Sequence, residues 1–589
     1  MSANKNYETF SGSSSRWSRA ILLVCLLLSS SVSSEFLLHS LKLMKEKLLS
    51  RQKSINENET DALVDHDDKI KTKIQSSSAI IEDEKVFLAA NQHNLDGETP
   101  RVSQKSVLKQ VLAAFVAQLG TVNTGMGFGF SAIAIPQLRD ANSLIIIDDI
   151  QESWIASMSS IGTPIGCLLS GYLMDQLGRK RCLIITEVPA MLGWLLITFA
   201  TNIEMIYAGR FFVGLGSGMV GAPARVYTSE VTQPHLRGML TALASVGVST
   251  GVLFEYTLGS IVTWKTCAAI STLIPVSALI LMFIYPETPS FLIAKNKPEA
   301  AKKALTHFRG SADNLENEID SLVNFSDKNH LKRLTKPREI IHALIQPNAI
   351  KPFVLLFFYF LIYQWSGTNA ITFYAVDIFQ KSGATVDKYL ATSILGVVRL
   401  ISTILACILC RKYGRRPLTM VSSVGCGLSM IGLGGYMWLN NYWTNNSIPA
   451  TCTWFPVLCI FSYTITCTVG FLVIPWVMIG EVYPVQVRGI IGGLTTMSAH
   501  TFVFMVVKTF PFLRDTITEH GTFLLYGLIS LIGTIYFYIC LPETKNKSLQ
   551  EIEDYFSGRS ANLKTGRLFR FGFGTNKVLQ VQKGNILPT

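Results

Sequence analysis

Two short motifs place an acid and a base at a fixed spacing in this chain. Glu230 precedes Arg237, and Glu481 precedes Arg488, in both cases as Glu-x6-Arg-Gly. Opposite charges at the ends of neighbouring helices form ion pairs, which are stronger than surface pairs when they are partly desolvated. No nucleophile, general base or metal-ligand cluster recurs outside such motifs. The sequence therefore predicts a protein that performs no covalent chemistry and is not an enzyme.

A second set of candidates consists of polar side chains inside apolar runs. Arg399 lies near the middle of one run, where an unpaired charge costs about 2.5–3.5 kcal/mol or more, so we expect it to face a cavity or a partner. Gln364 and Asn369 carry amides, which both donate and accept hydrogen bonds. The alternative is structural: the amides join helices, and Arg399 binds helix carbonyls.

The composition of the chain indicates the class of protein in which these residues lie. Of 589 residues, 49% are hydrophobic and only 16% are charged, which is typical of a membrane protein. From residue 107 onward, runs of roughly twenty apolar residues follow one another, each long enough to cross a bilayer as a helix. The twelve predicted spans are Val107–Pro136, Trp154–Met174, Cys182–Ala200, Met205–Val226, Leu240–Val262, Cys267–Tyr285, Phe353–Tyr374, Tyr389–Leu409, Leu418–Leu439, Trp454–Ile479, Ile490–Phe510 and Gly521–Leu541.

Charge and cysteine usage exclude other classes. The net charge of +12 comes from basic clusters between apolar runs, which is the pattern of cytoplasmic loops rather than of a nucleic-acid surface. Most of the eleven cysteines lie inside apolar runs, without the spacing of a disulfide framework. Cys407 and Cys410 form a lone C-x-x-C with no second pair or histidine beside it, so we predict neither a metal nor a redox site there.

The chain divides into five segments. We predict a disordered cytoplasmic segment over residues 1–105, six-span bundles over 106–285 and 352–542, a cytoplasmic helical linker over 286–351, and a cytoplasmic tail over 543–589. Within the first segment, the short apolar run Ile21–Leu28 resembles the centre of a signal peptide, which is the alternative interpretation.

Basic residues predict the orientation. Arg179–Arg181 and Arg411–Arg416 lie between spans 2 and 3 and between spans 8 and 9, and such clusters mark cytoplasmic loops. Both termini are then cytoplasmic in a multi-pass protein of the plasma membrane. Asn445, in an Asn-x-Ser sequence, falls in an outer loop and is the predicted glycosylation site.

Other motifs occur once in each half as well. Gly178–Lys180 is echoed by Gly414–Arg416, and Pro286–Thr288 is echoed by Pro542–Thr544, at similar distances along the chain. A duplicated pattern of this kind indicates two homologous six-helix bundles. We predict a charge network at the cytoplasmic ends of the spans. Its ion pairs form when the protein is open to the outside and break when it is open to the cytoplasm. Its residues are Asp175, Gly178, Arg179, Glu230, Arg237, Arg415, Glu481 and Arg488.

Taken together, the motifs resemble the sugar porter family of the major facilitator superfamily. The resemblance covers about residues 106–555 and is closest to the insect facilitated trehalose transporters. It is carried by Gly171–Lys180, the two Glu-x6-Arg-Gly motifs, Pro286–Leu292, Ser366–Asn369, Pro475–Trp476 and Pro542–Lys545. It implies an all-α membrane protein with the major facilitator fold, built from twelve transmembrane helices in two pseudo-symmetric six-helix bundles.

The resemblance also implies a sugar site near the bilayer midplane, lined mainly by the second half. Gln364 and Asn369 match the family's span 7 amides; on a regular helix they point about 140° apart, so a break at Gly367 is needed for both to reach one sugar. Trp476 matches an aromatic that supports a sugar's apolar face. The candidate substrate-binding residues are Gln364, Asn369, Tyr363, Trp476, Arg399, His500 and Ser245.

Four of these positions depart from the family pattern. Tyr363 and Ser245 stand where the family has glutamine, His500 where it has tryptophan, and Arg399 where it has asparagine. In the second half, Arg411 replaces the acid that usually precedes the Gly-Arg-Arg turn. Hexose selectivity is therefore not transferred, and the predicted sugar is trehalose or a hexose.

Energy coupling is the remaining question. Proton-coupled relatives place an aspartate in span 1, but Val107–Pro136 holds no acid and Gly129 stands near that position. No Gly-x4-Gly-Lys-Ser/Thr loop is present, which excludes ATP as the energy source. We predict facilitative transport by alternating access, with a sugar and the bilayer as partners and no cofactor, nucleic acid or obligatory protein partner. The alternatives are a proton-coupled symporter, a carrier of another polyol or an organic anion, and a transporter-like sugar sensor.

Overall fold

The computed structural model describes residues 104–140, 145–310, 318–320, 322–323, 337–383, 386–484, 487–545, 547 and 549–558. The apolar run Ile21–Leu28, almost all of the predicted segment 1–105 and the tail beyond residue 558 lie outside the described residues. What is described is helical, and it contains no β-strand.

The first half consists of six helical spans. Their bounds are Gln104–Leu138 for span 1, Asp149–Leu177 for span 2, Arg179–Thr198 for span 3, Ile203–Val231 for span 4 and Pro234–Gly259 for span 5, with Trp264–Ser271 and Leu273–Ile284 together forming span 6. Between the halves lie the short helices Pro289–Ala294, Pro298–Arg309 and Pro337–Ile345.

The second half repeats the plan with more interruptions. Span 7 is broken into Pro347–Trp365, Thr368–Phe373 and Ala375–Lys381; span 8 is Lys388–Tyr413 and span 9 is Arg416–Asn445. Span 10 comprises Phe455–Cys467, a π-helical turn at Thr468–Leu472 and Ile474–Val482. Spans 11 and 12 share the helix Arg488–Cys540, which is divided by non-helical backbone at Ile517 and Thr518, and Leu549–Ser557 follows.

These helices confirm the predicted all-α membrane fold of twelve spans. Nine helices of the described residues are long and apolar enough to cross a membrane. One of them, Arg488–Cys540, contains two spans, and the 29-residue helices of spans 2 and 4 complete the twelve. Spans 2 and 4 carry buried charged residues within their helices, Glu152 and Arg210.

Small residues bring the spans of the first half together. On span 4, a Cβ added at Gly214 or Gly218 would collide with the backbone of Ser159 or Thr163 on span 2. Without a hydrophobic driving force between helices in lipid, such close packing of small residues is what holds them together. Spans 1, 2 and 3 all pack on span 4 in this way, and span 5 packs on span 1.

Three pairs of spans join the two halves. Span 2 packs against span 11, span 5 against span 8, and span 1 against the last two segments of span 7. Between spans 5 and 8, the hydroxyls of Ser249 and Thr403 share a hydrogen bond of 2.7 Å. These contacts position the residues that face the space between the halves.

Candidate functional site

The two duplicated turns have the same hydrogen-bonded structure. In the first half, the Glu287 carboxylate accepts the backbone N–H groups of Arg179 and Lys180, each at 3.1 Å. In the second half, Glu543 accepts those of Arg415 and Arg416, each at 3.0 Å. Each carboxylate therefore caps the N-terminus of a span, where unpaired N–H groups and the helix dipole favour a negative charge. We call this end of the spans the Arg179 end.

Glycine is required at both turns. Gly178 has φ of +99° and Gly414 has φ of +93°, a left-handed backbone that other L-residues adopt only at a cost. A Cβ at Gly414 would also lie 2.7 Å from the carboxylate oxygen of Glu543. The glycine thus serves both the turn and the close approach of the capping acid.

Replacing Gly414 by alanine should destabilise the protein. We expect a loss of about 1–2 kcal/mol from the left-handed backbone and a further ~0.5–2 kcal/mol from the displaced cap. The measurement is the thermal unfolding midpoint of the purified protein in detergent. Gly171→Ala is the matched control, because a Cβ there has no neighbour within 4 Å. Equal midpoints for the two variants would contradict the assigned role.

Next to each cap lies an ion pair. Arg179 Nη2 is 3.0 Å from Glu230 Oε1, and Arg415 pairs with Glu481. Thr544 Oγ1 also donates to Glu481 at 2.7 Å, which ties the end of span 12 to span 10. Both pairs join spans within one half, and all four side chains are partly buried.

The other predicted members of the charge network are placed differently. Arg488 donates to the backbone carbonyl of Tyr483, at 2.8 Å from Nη2, and not to a carboxylate. Arg237 is exposed and forms no ion pair with any described residue. The exposed Asp175 lies at the end of span 2 and does engage a partner. In this conformation the network does not bridge the two halves through Arg237.

A small cavity lies between the halves. Of the described residues that line it, only Tyr256 of span 5 comes from the first half. The lining residues are Tyr256, Thr368, Ile371, Thr372, Leu395, Arg399, Tyr463, Thr464, Cys467, Thr468 and Leu472. The broken span 7 and the π-helical turn of span 10 supply several of them, because interrupted helices free polar groups to face a cavity.

Arg399 is the one predicted binding residue that lines this cavity. It is 8% exposed, and its Nη1 donates to Thr372 Oγ1 at 2.8 Å. Its Nε has no hydrogen-bond partner among the described residues. Arg399 thus lines a cavity and also has a protein partner, and its role in binding stays a prediction.

Gln364, Asn369 and Tyr363 are buried beside the cavity rather than in its wall. The break at Gly367, with φ of +94°, lets Asn369 Nδ2 donate to Gln364 Oε1. Tyr363 packs on Phe471 of span 10, with ring centroids 6.0 Å apart. The two amides therefore do converge, although they bond to each other here.

Trp476 and His500 form a separate aromatic group towards the Arg179 end. Their rings are 5.8 Å apart, and His500 Nδ1 lies 2.9 Å from the Thr496 carbonyl. Arg225 of span 4, which the sequence analysis did not single out, reaches across from the first half, with Cζ 5.7 Å from the Trp476 ring centroid. Ser245 on span 5 is half-buried and lies in neither group.

Sequence reasoning missed an ion cluster at the opposite end of the spans, which we call the Arg139 end. Arg139 of span 1 lies 3.0 Å from Asp149, pairs with the fully buried Glu152, and reaches Asp377 of span 7 at 3.5 Å. It therefore links the two halves. A basic residue directly after an apolar run and opposite an acidic loop was the available signal.

Further contacts close the halves at this end. Lys508 of span 11 donates to Ser153 of span 2 at 2.7 Å and lies 3.7 Å from the Trp154 ring centroid. Tyr256 donates its hydroxyl to the Thr372 carbonyl at 2.6 Å. These contacts join the two halves at the Arg139 end.

The first half also contains a buried acid that the inspection of span 1 alone does not reveal. Glu255 of span 5 accepts Ser271 Oγ at 2.6 Å and Cys267 Sγ at 2.8 Å. A Cβ at Gly129 would lie 2.9 Å from the Cβ of Glu255. Span 1 has a glycine, Gly129, near the position of the aspartate of proton-coupled relatives. Glu255 of span 5 packs against this glycine.

A twelve-span fold with a cavity between its two halves is the architecture of an alternating-access membrane transporter. A family model described as Sugar (and other) transporter matches residues 113–556. The chain belongs to this family, whose members carry solutes and are not enzymes.

Named relatives agree with this assignment. The Facilitated trehalose transporter Tret1 of Bombyx mori is 35% identical over 451 residues, which cover 75% of this chain and 86% of the relative. The Tret1 of Apis mellifera ligustica is 33% identical over 454 residues, covering 76% and 88%.

Solved structures support the major facilitator fold. The proton:xylose symporter XylE bound to 6-bromo-6-deoxy-D-glucose aligns with a TM-score of 0.61 at 20% identity, over 77% of this chain and 99% of that chain. The inward open conformation of XylE from E. coli gives 0.61 at 20% identity, over 75% and 98%.

Proposed function

We propose that this protein is a facilitative sugar carrier of the plasma membrane that moves trehalose or a hexose by alternating access. The observation that carries the proposal is the cavity between the halves, together with the bonds that join the two halves at the Arg139 end. The relatives named as facilitated trehalose transporters support the substrate class.

The proposed orientation places the Arg179 end in the cytoplasm. The basic turns at Arg179 and Arg415 support it, because positive residues concentrate on the cytoplasmic side. Both termini are then cytoplasmic, with six-span bundles at 106–285 and 352–542 joined by a cytoplasmic linker at 286–351. Asn445, exposed at the end of span 9, faces outward as the glycosylation site. The present conformation is then closed to the outside.

In the proposed cycle, a sugar enters the cavity and replaces water on Arg399 and on the polar wall of spans 7 and 10. The amides of Gln364 and Asn369, now bonded to each other, exchange that bond for sugar hydroxyls. Tyr363 and Ser245 contribute further hydroxyls, and Trp476 with His500 forms an aromatic platform on the path to the cytoplasm. Each of these roles follows from donors, acceptors and ring faces that a polyol can use.

The charge network is proposed to govern the cytoplasmic gate. Glu230 and Glu481, each held by an arginine of its own half, keep Arg179 and Arg415 positioned while the halves are apart. When the halves close at this end, Arg237, Asp175 and Arg488 approach the opposite half. Gly178 and Gly414 keep the caps in place throughout, so the network moves as two rigid units.

Two other functions, a proton symporter and a sugar sensor, are each favoured by one observation. The buried carboxyl of Glu255 beside Gly129 favours a proton symporter as the second candidate, since such carriers need an embedded acid. A sugar sensor would bind without turnover, and Arg411 in place of the usual acid beside the gate favours it.

The test is uptake of labelled trehalose and labelled glucose by the full chain, expressed in cells that lack sugar carriers. Saturable uptake of either sugar, above that of cells carrying the empty vector, is the expected result. If the protein reaches the cell surface and binds sugar in isolated membranes but gives no uptake, the carrier hypothesis is contradicted and the sugar sensor is supported.

The cavity wall offers a thiol that reports occupancy. Cys467 lines the cavity and lies 3.1 Å from Thr368 Oγ1. In a variant that keeps Cys467 as its only cysteine, a small thiol reagent should block uptake, and saturating sugar should slow the block at least severalfold. A variant that keeps only Cys182, which is buried between spans and contacts the Ser170 carbonyl, is the matched control and should stay unmodified. Sugar-independent modification of Cys467 would contradict its place in the site.

A further inference from the structure

The guanidinium of Arg399 is incompletely satisfied. Its Nη1 donates to Thr372, its Nε has no partner, and the side chain is more than nine-tenths buried in the cavity wall. A guanidinium offers five N–H donors in a fork that matches a carboxylate or a phosphate. Of the guanidinium nitrogens, only Nη1 is hydrogen-bonded to a described residue.

The contrast with another buried arginine shows that this is not a general property of arginines in the fold. Arg210 of span 4 donates from Nε to the Ile155 carbonyl at 3.1 Å and from Nη1 to the Gly127 carbonyl at 2.7 Å. Its Nη2 donates to Ser131 at 2.6 Å and to Ser159 at 3.1 Å. Arg210 is therefore satisfied by protein groups, as a structural arginine should be.

A second guanidinium without a hydrogen-bond partner among the described residues lies beside Trp476, towards the Arg179 end. Arg225 stacks on Trp476 across the halves and forms neither a hydrogen bond nor an ion pair with any described residue. A guanidinium on an aromatic face keeps its N–H edge free for an anion. Two cations, one from each half, thus lie in the cavity wall and beside Trp476.

No acid among the described residues neutralises them. The cavity lining contains no aspartate or glutamate. Glu255 is held by Cys267 and Ser271, and the Glu187 carboxyl lies against Gly120 and Val220 inside the first half. Because an uncompensated buried cation is costly, the missing negative charge is best supplied by the substrate.

We propose that the cavity takes, besides neutral sugars, a sugar derivative bearing one anionic group, held by the fork of Arg399 and passed along Arg225. This rests on the proposed sugar-carrier function. Thr372 couples binding to movement: its hydroxyl accepts from Arg399, and its carbonyl accepts from Tyr256 of the other half. An anion that draws Arg399 away from Thr372 acts on the segment that closes the Arg139 end.

The first test is binding of two ligands of nearly the same shape, of which one is charged and the other is neutral. Labelled glucuronate and its neutral amide, glucuronamide, are measured on the purified full chain in detergent, with glucose 6-phosphate as a competitor for phosphate recognition. The expected result is at least about tenfold tighter binding of glucuronate than of glucuronamide, a difference of about 1.4 kcal/mol. Competition by glucose 6-phosphate would extend the class to phosphates, and its failure would restrict the class to carboxylates.

Three variants identify the cause of this preference. Arg399→Gln should reduce the glucuronate-to-glucuronamide ratio to about one, and Arg399→Lys should restore part of it because the charge returns without the fork. Arg225→Gln should leave a smaller preference in binding but slow glucuronate uptake into proteoliposomes. Arg181→Gln, an exposed arginine beside the span 3 cap, is the control and should keep the full ratio.

The outcomes separate this inference from the proposed function. Saturable uptake of glucose or trehalose, with equal binding of glucuronate and glucuronamide, would overturn the anion site and leave the sugar carrier standing. Preferential glucuronate binding without neutral-sugar uptake would support the anion site and overturn trehalose or hexose as the substrate. A ratio unchanged in Arg399→Gln would overturn the assignment to Arg399.

Discussion

Replacing Gly367 by alanine should reduce sugar uptake to about a tenth of the wild-type rate or less, which corresponds to about 1.4 kcal/mol. Gly367 has φ of +94°, which costs other residues about 1–2 kcal/mol. Its Cβ would lie 2.7 Å from the Tyr526 ring and 2.9 Å from the Met430 methyl. Relief by straightening span 7 would turn Gln364 and Asn369 away from each other. Initial uptake rates, normalised to surface protein, are the measurement.

The matched control is Gly435→Ala on span 9, where an added Cβ has no neighbour within 4 Å. This variant should transport like the wild type. If Gly367→Ala also keeps the wild-type rate, the break in span 7 is not needed for transport.

Replacing Glu481 by glutamine should lower the maximal uptake rate about tenfold, or about 1.4 kcal/mol, while KM changes far less. The substitution removes the charge that holds Arg415 and weakens the bond from Thr544, so the span 9 turn loses its fixed position. Glu481 does not line the cavity, which is formed by an earlier part of span 10. The substitution should therefore change sugar binding little. Concentration-dependent uptake gives both constants.

Glu299→Gln serves as the control, because Glu299 is exposed on the linker helix and forms no ion pair with the described residues. Its kinetics should match the wild type. A raised KM with an unchanged maximal rate in Glu481→Gln would place Glu481 in binding rather than in the gate.

The spans and the turns were predictable because each has a local cause. A run of twenty apolar residues must form a helix in lipid, and Gly178 and Gly414 are needed where the backbone turns left-handed under a capping acid. The capping role itself was not predicted, because the sequence does not show that Glu287 and Glu543 fold back onto turns more than a hundred residues away.

The cavity was predicted less well, since its wall depends on how interrupted helices rotate. Arg399 was predicted to face a cavity or a partner, because an unpaired charge inside an apolar span is costly. Trp476 and His500 instead pack together beside Arg225, and the amides of span 7 bond to each other. The Arg139 cluster was missed because Asp377 lies in the opposite half, and a lone arginine at a helix end gives no sign of such a distant partner.

The most direct test of facilitative transport is sugar flux into proteoliposomes that contain the purified full chain and carry an imposed pH gradient. The account predicts that labelled trehalose or glucose equilibrates to the external concentration and no further, at a rate that a protonophore does not change. Accumulation above the external concentration, driven by an inward proton gradient and abolished by the protonophore, would contradict it and make the protein a symporter.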